Sequence, residues 1–347
     1  MTEDASLNFL NAPLQESAQT LLEHFGELSP HKKAIFYEAL RLVSEEHNVA
    51  DMKMMSKVLR ETRRGLKVFR PYQTARKVSI FGSARTPASN PRYAQVRDCA
   101  AALRDKGFMI ITGGGGGMMQ AANEGAGFEH SFGINISLPM EQRPNPIVEG
   151  SPRHFYCQYF FTRKLFFLKE SDAVILTPGG FGTLDETFET LTLLQTGRNP
   201  PMPVVLLEAP GEDYWGPFMR SWVRRLINDG LISPDDQHLM FHTDNIHAAV
   251  KHIYHFYENY HSFRYADDWV VLRLLNPLSD DSVERLNAEF DDVLYTGRIE
   301  QLYQWPESDD ECYSHMPRLR FHLDRHRTNV LPQLIRRMNA LYRHEHS

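Results

Sequence analysis

Apolar residues recur at helical spacing through the first 76 residues, at Leu21, Leu22 and Phe25, then Ile35, Phe36, Leu40 and Val43, then Met55, Leu59 and Leu66. Three helices are predicted. Gly26 stops the first, Ser29-Pro30 supplies an N-cap and first-turn proline for the second, and the third ends before Pro71. From Lys77 the pattern changes to short apolar runs alternating with longer helical ones. Strands are predicted at Val78–Phe81, Phe108–Thr112, Phe132–Leu138, Ala173–Thr177 and Val204–Leu207. Helices fit between them, including Pro91–Lys106, closed by Gly107, and Leu184–Gln195, closed by Gly197. A further helix is expected over 247–261, where His252 and His255 share one face among aromatics. Beyond Tyr260 the reading is a strand at Trp269–Leu275, a helix at Ser282–Val293, strands at Gln301–Trp305 and Leu319–Leu323, and an amphipathic helix over Val330–Tyr342.

Strands that are apolar throughout belong to parallel sheets buried on both faces. The expected fold is therefore α/β, a Rossmann-like parallel sheet with helices on both faces. An N-terminal helical region (1–76) and a small C-terminal α/β domain (262–347) flank the central domain (77–261). Ligands of such sheets bind beyond the carboxyl ends of the strands, which is where the glycine clusters fall.

Composition narrows the classes of function. The chain has 347 residues, 42% of them hydrophobic and 24% charged, and a net charge of −6. That is ordinary for a globular protein, and no global basic field draws in nucleic acid or an anionic membrane surface. The N-terminus lacks the basic and long apolar segments of a signal peptide, and no run approaches a membrane span. Cys99, Cys157 and Cys312 form neither a metal pattern nor a disulfide framework. A cytoplasmic setting is expected.

Two glycine-rich turns hold the candidate chemistry. In ITGGGGGMMQAANEGA (111–126) a strand ends at Thr112, Gly113, Gly114, Gly115, Gly116 and Gly117 follow, and a helix begins near Met118. In ILTPGGFGTLDETFE (175–189) a strand runs into Gly179, Gly180 and Gly182, and a helix is expected from Thr183. Glycines allow close backbone approach, and a helix N-terminus attracts anions, so two such turns at adjacent strand ends would cradle one phosphorylated ligand. A dinucleotide fingerprint fails on spacing, because its last glycine falls on Met118 or Asp185, and there is no G-K-[ST] of a triphosphate loop. Either turn alone would pass as a tight strand-to-helix connection. Asp185 and Glu186 are placed in the first helical turn, where one acid compensates the macrodipole and a second points to a chemical task. Upstream, Arg163 and Lys164 punctuate the aromatic helix FFTRKLFFLKESDA (160–173), either as snorkelling cations or as a ligand-orienting pair.

PGGFGTLDE at 178–186 resembles the PGGxGTxxE signature of the Lonely Guy family of cytokinin riboside 5′-monophosphate phosphoribohydrolases. SIFGSAR at 79–85, TGGGGGMMQAANEGA at 112–126 and GINISLPMEQRPNP at 133–146 are similar to further blocks of the family, and the resemblance spans roughly 77–260. It implies that Arg163 and Glu186 are catalytic. It also implies that Lys164 and the stretch Gly180, Phe181, Gly182, Thr183, Leu184, Asp185 and Glu186 contact substrate; Ser83, Gly113–Gly117 and Gly179, on the neighbouring turns, are further candidate contacts. Members hydrolyse a nucleoside 5′-monophosphate, usually as dimers, with no metal and no organic cofactor, and longer bacterial relatives act on ordinary purine or pyrimidine monophosphates. A nucleotide-sensing or molybdenum-cofactor-carrier role on the same fold is the competing reading.

Weaker signals have simpler explanations. Ser29-Pro30-His31-Lys32 superficially matches a pyridoxal-enzyme motif but reads better as a helix cap, and His252 and His255 as a packing face. Arg60, Arg63, Arg64, Lys67 and Arg70 form a basic run that reads as a solvated helix face, with a regulatory anion site as the minor alternative. With no metal triad or Schiff-base lysine beside the turns, chelators and pyridoxal phosphate are expected to leave turnover unchanged. Loss of activity in EDTA, restored by one metal, would reverse this.

Overall fold

The computed structural model describes residues 7–138, 143–303 and 313–346. Trp305, Cys312 and the middle of the 133–146 block lie outside them. The chain divides into two compact units, Met1–Arg60 and Glu61–Ser347. In the first, α1 (Ala12–His24) is capped by the Asn11 side chain, which accepts from the Leu14 amide at 3.1 Å. Helix α2 (Pro30–Ser44) starts at the expected Ser29-Pro30; of α3 (Val49–Phe69), residues up to Arg60 belong to this unit and those from Glu61 to the second. Of the apolar positions read as a helical stripe, Leu22 is buried, whereas Ile35 and Val43 remain exposed.

The second unit is built on a parallel seven-stranded sheet. Its strands are β1 (Lys77–Phe81), β2 (Met109–Thr112), β3 (Ser131–Ile136), β4 (His154–Cys157), β5 (Ala173–Leu176), β6 (Val204–Leu207) and β7 (Met240–Thr243). Their order is β4-β3-β2-β1-β5-β6-β7, and in register Val78 of β1 faces Ile110 on one side and Ala173 on the other. The fold is thus α/β, as the continuous apolar runs require: β1, β2, β3, β5 and β6 are buried along their whole length. Strands β4 and β7 were not legible, because an edge strand buries only part of its length and lacks a continuous apolar run.

Helices cover both faces. One core layer joins the sheet to α4 (Pro91–Asp105), α5 (Met118–Ala126) and α10 (Ile246–Phe256). The other joins it to α6 (Phe160–Lys169), α7 (Phe181–Gln195), Trp215 and the end of α3. Between β6 and β7 the chain winds through α8 (Trp215–Pro217), a π-helical turn at Phe218–Val223 and α9 (Arg224–Asn228). The carboxyl-terminal part of α3 is seated on α6. Phe69 stacks on Phe132 at 4.6 Å and on Phe166 at 6.0 Å, and a Cβ at Gly65 would overlap the Phe166 ring. Glu61 accepts hydrogen bonds from the Gln158 amide at 2.8 Å and from the Thr162 hydroxyl. A carboxylate is thereby placed at the N-terminus of α6, where the helix dipole favours it.

After α10 comes an antiparallel sheet in the order β10-β11-β9-β8. It comprises β8 (Tyr260–Ala266), β9 (Trp269–Leu274), β10 (Leu294–Leu302) and β11 (Arg318–Leu323), packed with α11 (Asp280–Glu289) and α12 (Leu331–Glu345). The helix expected over 247–261 stops at Phe256. Buried Asn339 of α12 accepts from the Asn259 and Tyr260 amides at 2.9 and 3.2 Å and donates to the Phe256 carbonyl at 2.6 Å, turning the chain into β8. His252 stacks on Phe241 at 4.3 Å and His255 pairs with Glu258 at 2.9 Å. Strand β10 begins at Leu294, well before the expected Gln301, and the helix expected over Ser282–Val293 is α11 followed by a short turn at Asp291–Val293. Among the described residues no helix is long and apolar enough to cross a membrane.

Gly65→Ala tests the seat of α3. Helix propensity alone would stabilise by about 1 kcal/mol, but overpacking a filled core costs about 1–3 kcal/mol. The expected result is a lower urea midpoint at unchanged m, and a higher midpoint would mean that the ring has room to move.

Candidate active site

The two glycine turns leave the carboxyl ends of β2 and β5. The sequence reading placed them at adjacent strand ends, but β1 lies between the two strands. The turn after β1 consequently joins both. The Ser83 amide donates to the Pro178 carbonyl at 3.3 Å, and the Ser83 carbonyl accepts from the Met118 amide at 3.0 Å. The Ser83 hydroxyl accepts from the Arg85 amide at 3.1 Å, closing its own turn. Gly117, at φ +61°, lies against the Ser83 and Ala84 backbone, and a Cβ at Gly82 would strike Thr177 and Met118. Several of these glycines thus serve the contact of turn with turn. By contrast a Cβ at Gly180 or Gly182 would meet nothing within 4 Å, and Phe181 between them is 93% exposed.

The first turn is anchored from beneath by three buried residues. The Thr112 hydroxyl accepts from the Gly114 amide at 3.0 Å and donates to Asn123 Oδ1 at 2.7 Å. Asn145 donates its amide to the Gly114 carbonyl at 2.8 Å and its side chain to the Gly115 carbonyl at 3.0 Å and Asn123 Oδ1 at 2.9 Å. The second turn is held by the Tyr214 hydroxyl, which donates to the Gly179 carbonyl at 2.6 Å. Sequence reasoning did not find Thr112, Asn123, Asn145 or Tyr214 as supports, since nothing local tells a polar anchor from any other buried amide.

Helix α7 starts at Phe181, two residues before the expected Thr183, because the Gly180 carbonyl already accepts from the Thr183 and Leu184 amides at 3.0 and 3.1 Å. Asp185 and Glu186 therefore lie beyond the first turn, and their expected macrodipole role there does not hold. Thr183, Glu186, Thr187, Thr190 and Leu194 form the buried stripe of the helix. The spacing puts Glu186 inside at 3% exposure and leaves Asp185 outside. Glu186 Oε2 has no hydrogen-bond partner among the described residues. Burial pushes this carboxyl up to about 7; Lys164 and Arg163 oppose the rise, while Glu189 and Asp185 add to it.

Arg163 and Lys164 come from α6. The Arg163 guanidinium lies 5.1 Å from the centre of the Phe160 ring and 5.3 Å from that of Phe167. Its Nη1 comes within 3.7 Å of where a Cβ on Gly113 would stand, so the side chain reaches the first glycine turn. Burial lowers its pKa while the negative field of Glu186 raises it, and its Nε has no hydrogen-bond partner among the described residues. Lys164 Nζ lies 2.8 Å from Asp185 Oδ2 and 2.7 Å from Glu189 Oε2. The structure thus brings Arg163, Lys164, Asp185 and Glu186 together and adds Glu189. A cavity of about 730 Å³ between α6, α7 and β8 meets this cluster only at Lys164 and Glu189 and contains neither Glu186 nor a glycine turn.

Fold and site together define a doubly wound α/β protein with glycine turns and a buried, unpaired acid at the carboxyl edge of its sheet. A family model described as possible lysine decarboxylase matches residues 116–253. A cytokinin riboside 5′-monophosphate phosphoribohydrolase of Mycobacterium tuberculosis is 27% identical over 47% of this chain and 88% of its own length. One of Arabidopsis thaliana is 30% identical over 51% of this chain and 80% of its own. The chain belongs to this family, the Lonely Guy family. A molybdenum cofactor carrier protein of Chlamydomonas reinhardtii overlaps 51% of the chain and 94% of its own at 18% identity, with a TM-score of 0.34, too low for the likeness to bear on function.

The burial of Glu186 has a cost that can be measured. A carboxyl raised from 4.5 to about 7 binds its proton more tightly folded than unfolded. Its penalty is absent below the unfolded value and grows as pH rises from 4.5 to 7, reaching about 3 kcal/mol at most. Glu186→Gln is therefore expected to be more stable than the parent at pH 8, with the gain vanishing near pH 4. An equal difference at both pH values would show that Glu186 ionises freely.

Proposed function

We propose that the protein hydrolyses nucleoside 5′-monophosphates at the N-glycosidic bond, releasing the free base and ribose 5-phosphate. The observation that carries this reading is Glu186, a buried carboxylate with an oxygen unpaired among the described residues, in the field of Arg163 and Lys164 just past an open glycine turn. The 5′-phosphate is taken at the exposed start of α7, where the first amides have no intrahelical acceptor, and by the Gly113–Gly117 turn. Arg163 orients the ligand between the two turns. As the C1′–N bond breaks, its electron pair leaves with the base and C1′ becomes oxocarbenium-like, as in glycoside hydrolysis. The ionised Glu186 stabilises that charge and takes a proton from the attacking water. The hydroxyl goes to C1′ and the base nitrogen gains a proton.

The relatives' names support cytokinin nucleotides as substrates, and ordinary purine and pyrimidine monophosphates offer the same 5′-phosphate and N-glycosidic bond. We assign catalysis to residues 77–261, and to 1–76 and 262–347 the tuning of assembly or regulation. The working form is a cytoplasmic homodimer or higher homo-oligomer that needs no metal or organic cofactor.

A panel of monophosphates and their matching nucleosides, scored chromatographically for base release, tests the reading. Monophosphates are expected to be cleaved and nucleosides spared. Glu186→Gln and Arg163→Ala should each lose about a hundred- to ten-thousand-fold in kcat/KM. Equal turnover of nucleoside and monophosphate would remove the phosphate role of the turns, and ligand retained unchanged would favour a carrier.

A further inference from the structure

We propose that Lys164 is a positioning residue rather than a substrate contact: its ammonium ties Asp185 to Glu189 across the turn of α7 that carries Glu186. The proposal rests on the catalytic reading of Glu186 and assigns the group that controls its charge. Asp185 and Glu189 are four residues apart, one helical turn, and Glu186 lies between them. Lys164 reaches both from α6, at 2.8 and 2.7 Å, with its side chain only 16% exposed. The ammonium therefore stands within ion-pair distance of both carboxylates at once. Burial opposes its charge, yet the bonds to Asp185 and Glu189 hold its pKa above the ordinary lysine value. It is thus a fixed cation already committed to the protein.

The consequence falls on Glu186. The charged groups that face it are Arg163 and Lys164 from α6 and Asp185 and Glu189 from its own helix. Without Lys164 the two carboxylates on the same helix would face it uncompensated, and a like charge at such range favours the protonated acid. The ion pairs therefore keep Glu186 ionisable near neutrality, while its unpaired oxygen remains available. A substrate-gripping lysine would instead present its ammonium to the phosphate.

The test is a titration of the full-length chain, followed by the carboxyl carbon resonance of ¹³C-labelled Glu186 and assigned by its loss in Glu186→Gln. It needs no substrate, so it stands even if no monophosphate is cleaved. In Lys164→Met the midpoint is expected to rise by about one pH unit or more, and in Lys164→Arg to stay in place. In Asp185→Asn/Glu189→Gln it should fall, and in the triple variant with Lys164→Met it should return towards the parent. Where turnover is measurable, Lys164→Met should lose about tenfold in kcat below its midpoint for each unit of rise and recover at alkaline pH, with KM unchanged. An unmoved midpoint with KM raised at every pH would overturn the proposal and make Lys164 a substrate contact. Should Lys164→Met not fold, Asp185→Asn/Glu189→Gln still decides: an unmoved midpoint with a lowered KM, from a lysine released to the substrate, would overturn it.

Discussion

Three strand-to-helix turns, after β2, β1 and β5, are pressed together at one edge of the sheet, and the contact is made by backbone. Ser83 lends its amide to the turn after β5 and its carbonyl to the start of α5. Side chains at Gly82, Gly117 or Gly179 would occupy the space that this contact needs. Every other feature of the site is referred to that frame. The buried Thr112, Asn123 and Asn145 brace one turn from below and Tyr214 the other, so the open glycines are presented on a rigid support. Binding energy directed at a phosphate can orient the far end of a ligand only if the turns themselves do not yield.

Upon this frame the protein places a group that weakens its own fold. A carboxylate with 3% exposure and an unpaired oxygen is destabilising, and threonines, rather than further apolar residues, accompany it along α7. Such a group is retained where chemistry requires it. The four charges around it are arranged by distance. Arg163 faces Glu186 and the first glycine turn, and Lys164 is spent on Asp185 and Glu189. Adjacent cations on one helix thus have separate tasks, because neighbouring residues lie about 100° apart around the axis.

The position of α6 is itself set from far away in sequence. Glu61 bonds the start of this helix, and the Gly65 gap lets α3 lie flush on Phe166. The aromatic layer of Phe69, Phe132, Phe155 and Phe166 then holds α6 against the sheet. Arg163 is only as well placed as that layer.

The sequence by itself determined whatever depends on local period and local backbone freedom. Continuous apolar runs defined the five fully buried strands, and glycine clusters after strand ends located the site and the acidic pair beside it. Only the tertiary structure decided the rest. That β1 separates the two glycine turns follows from strand order, which no local period encodes. Edge strands β4 and β7 and the turn from α10 into β8 depend on neighbours that cover one side or satisfy a chain end, as Asn339 does from about 80 residues away. The partners of Lys164 depend on how α6 and α7 pack. A charged residue in a sequence carries its sign but not its distance to another charge, and an electrostatic role is set by that distance.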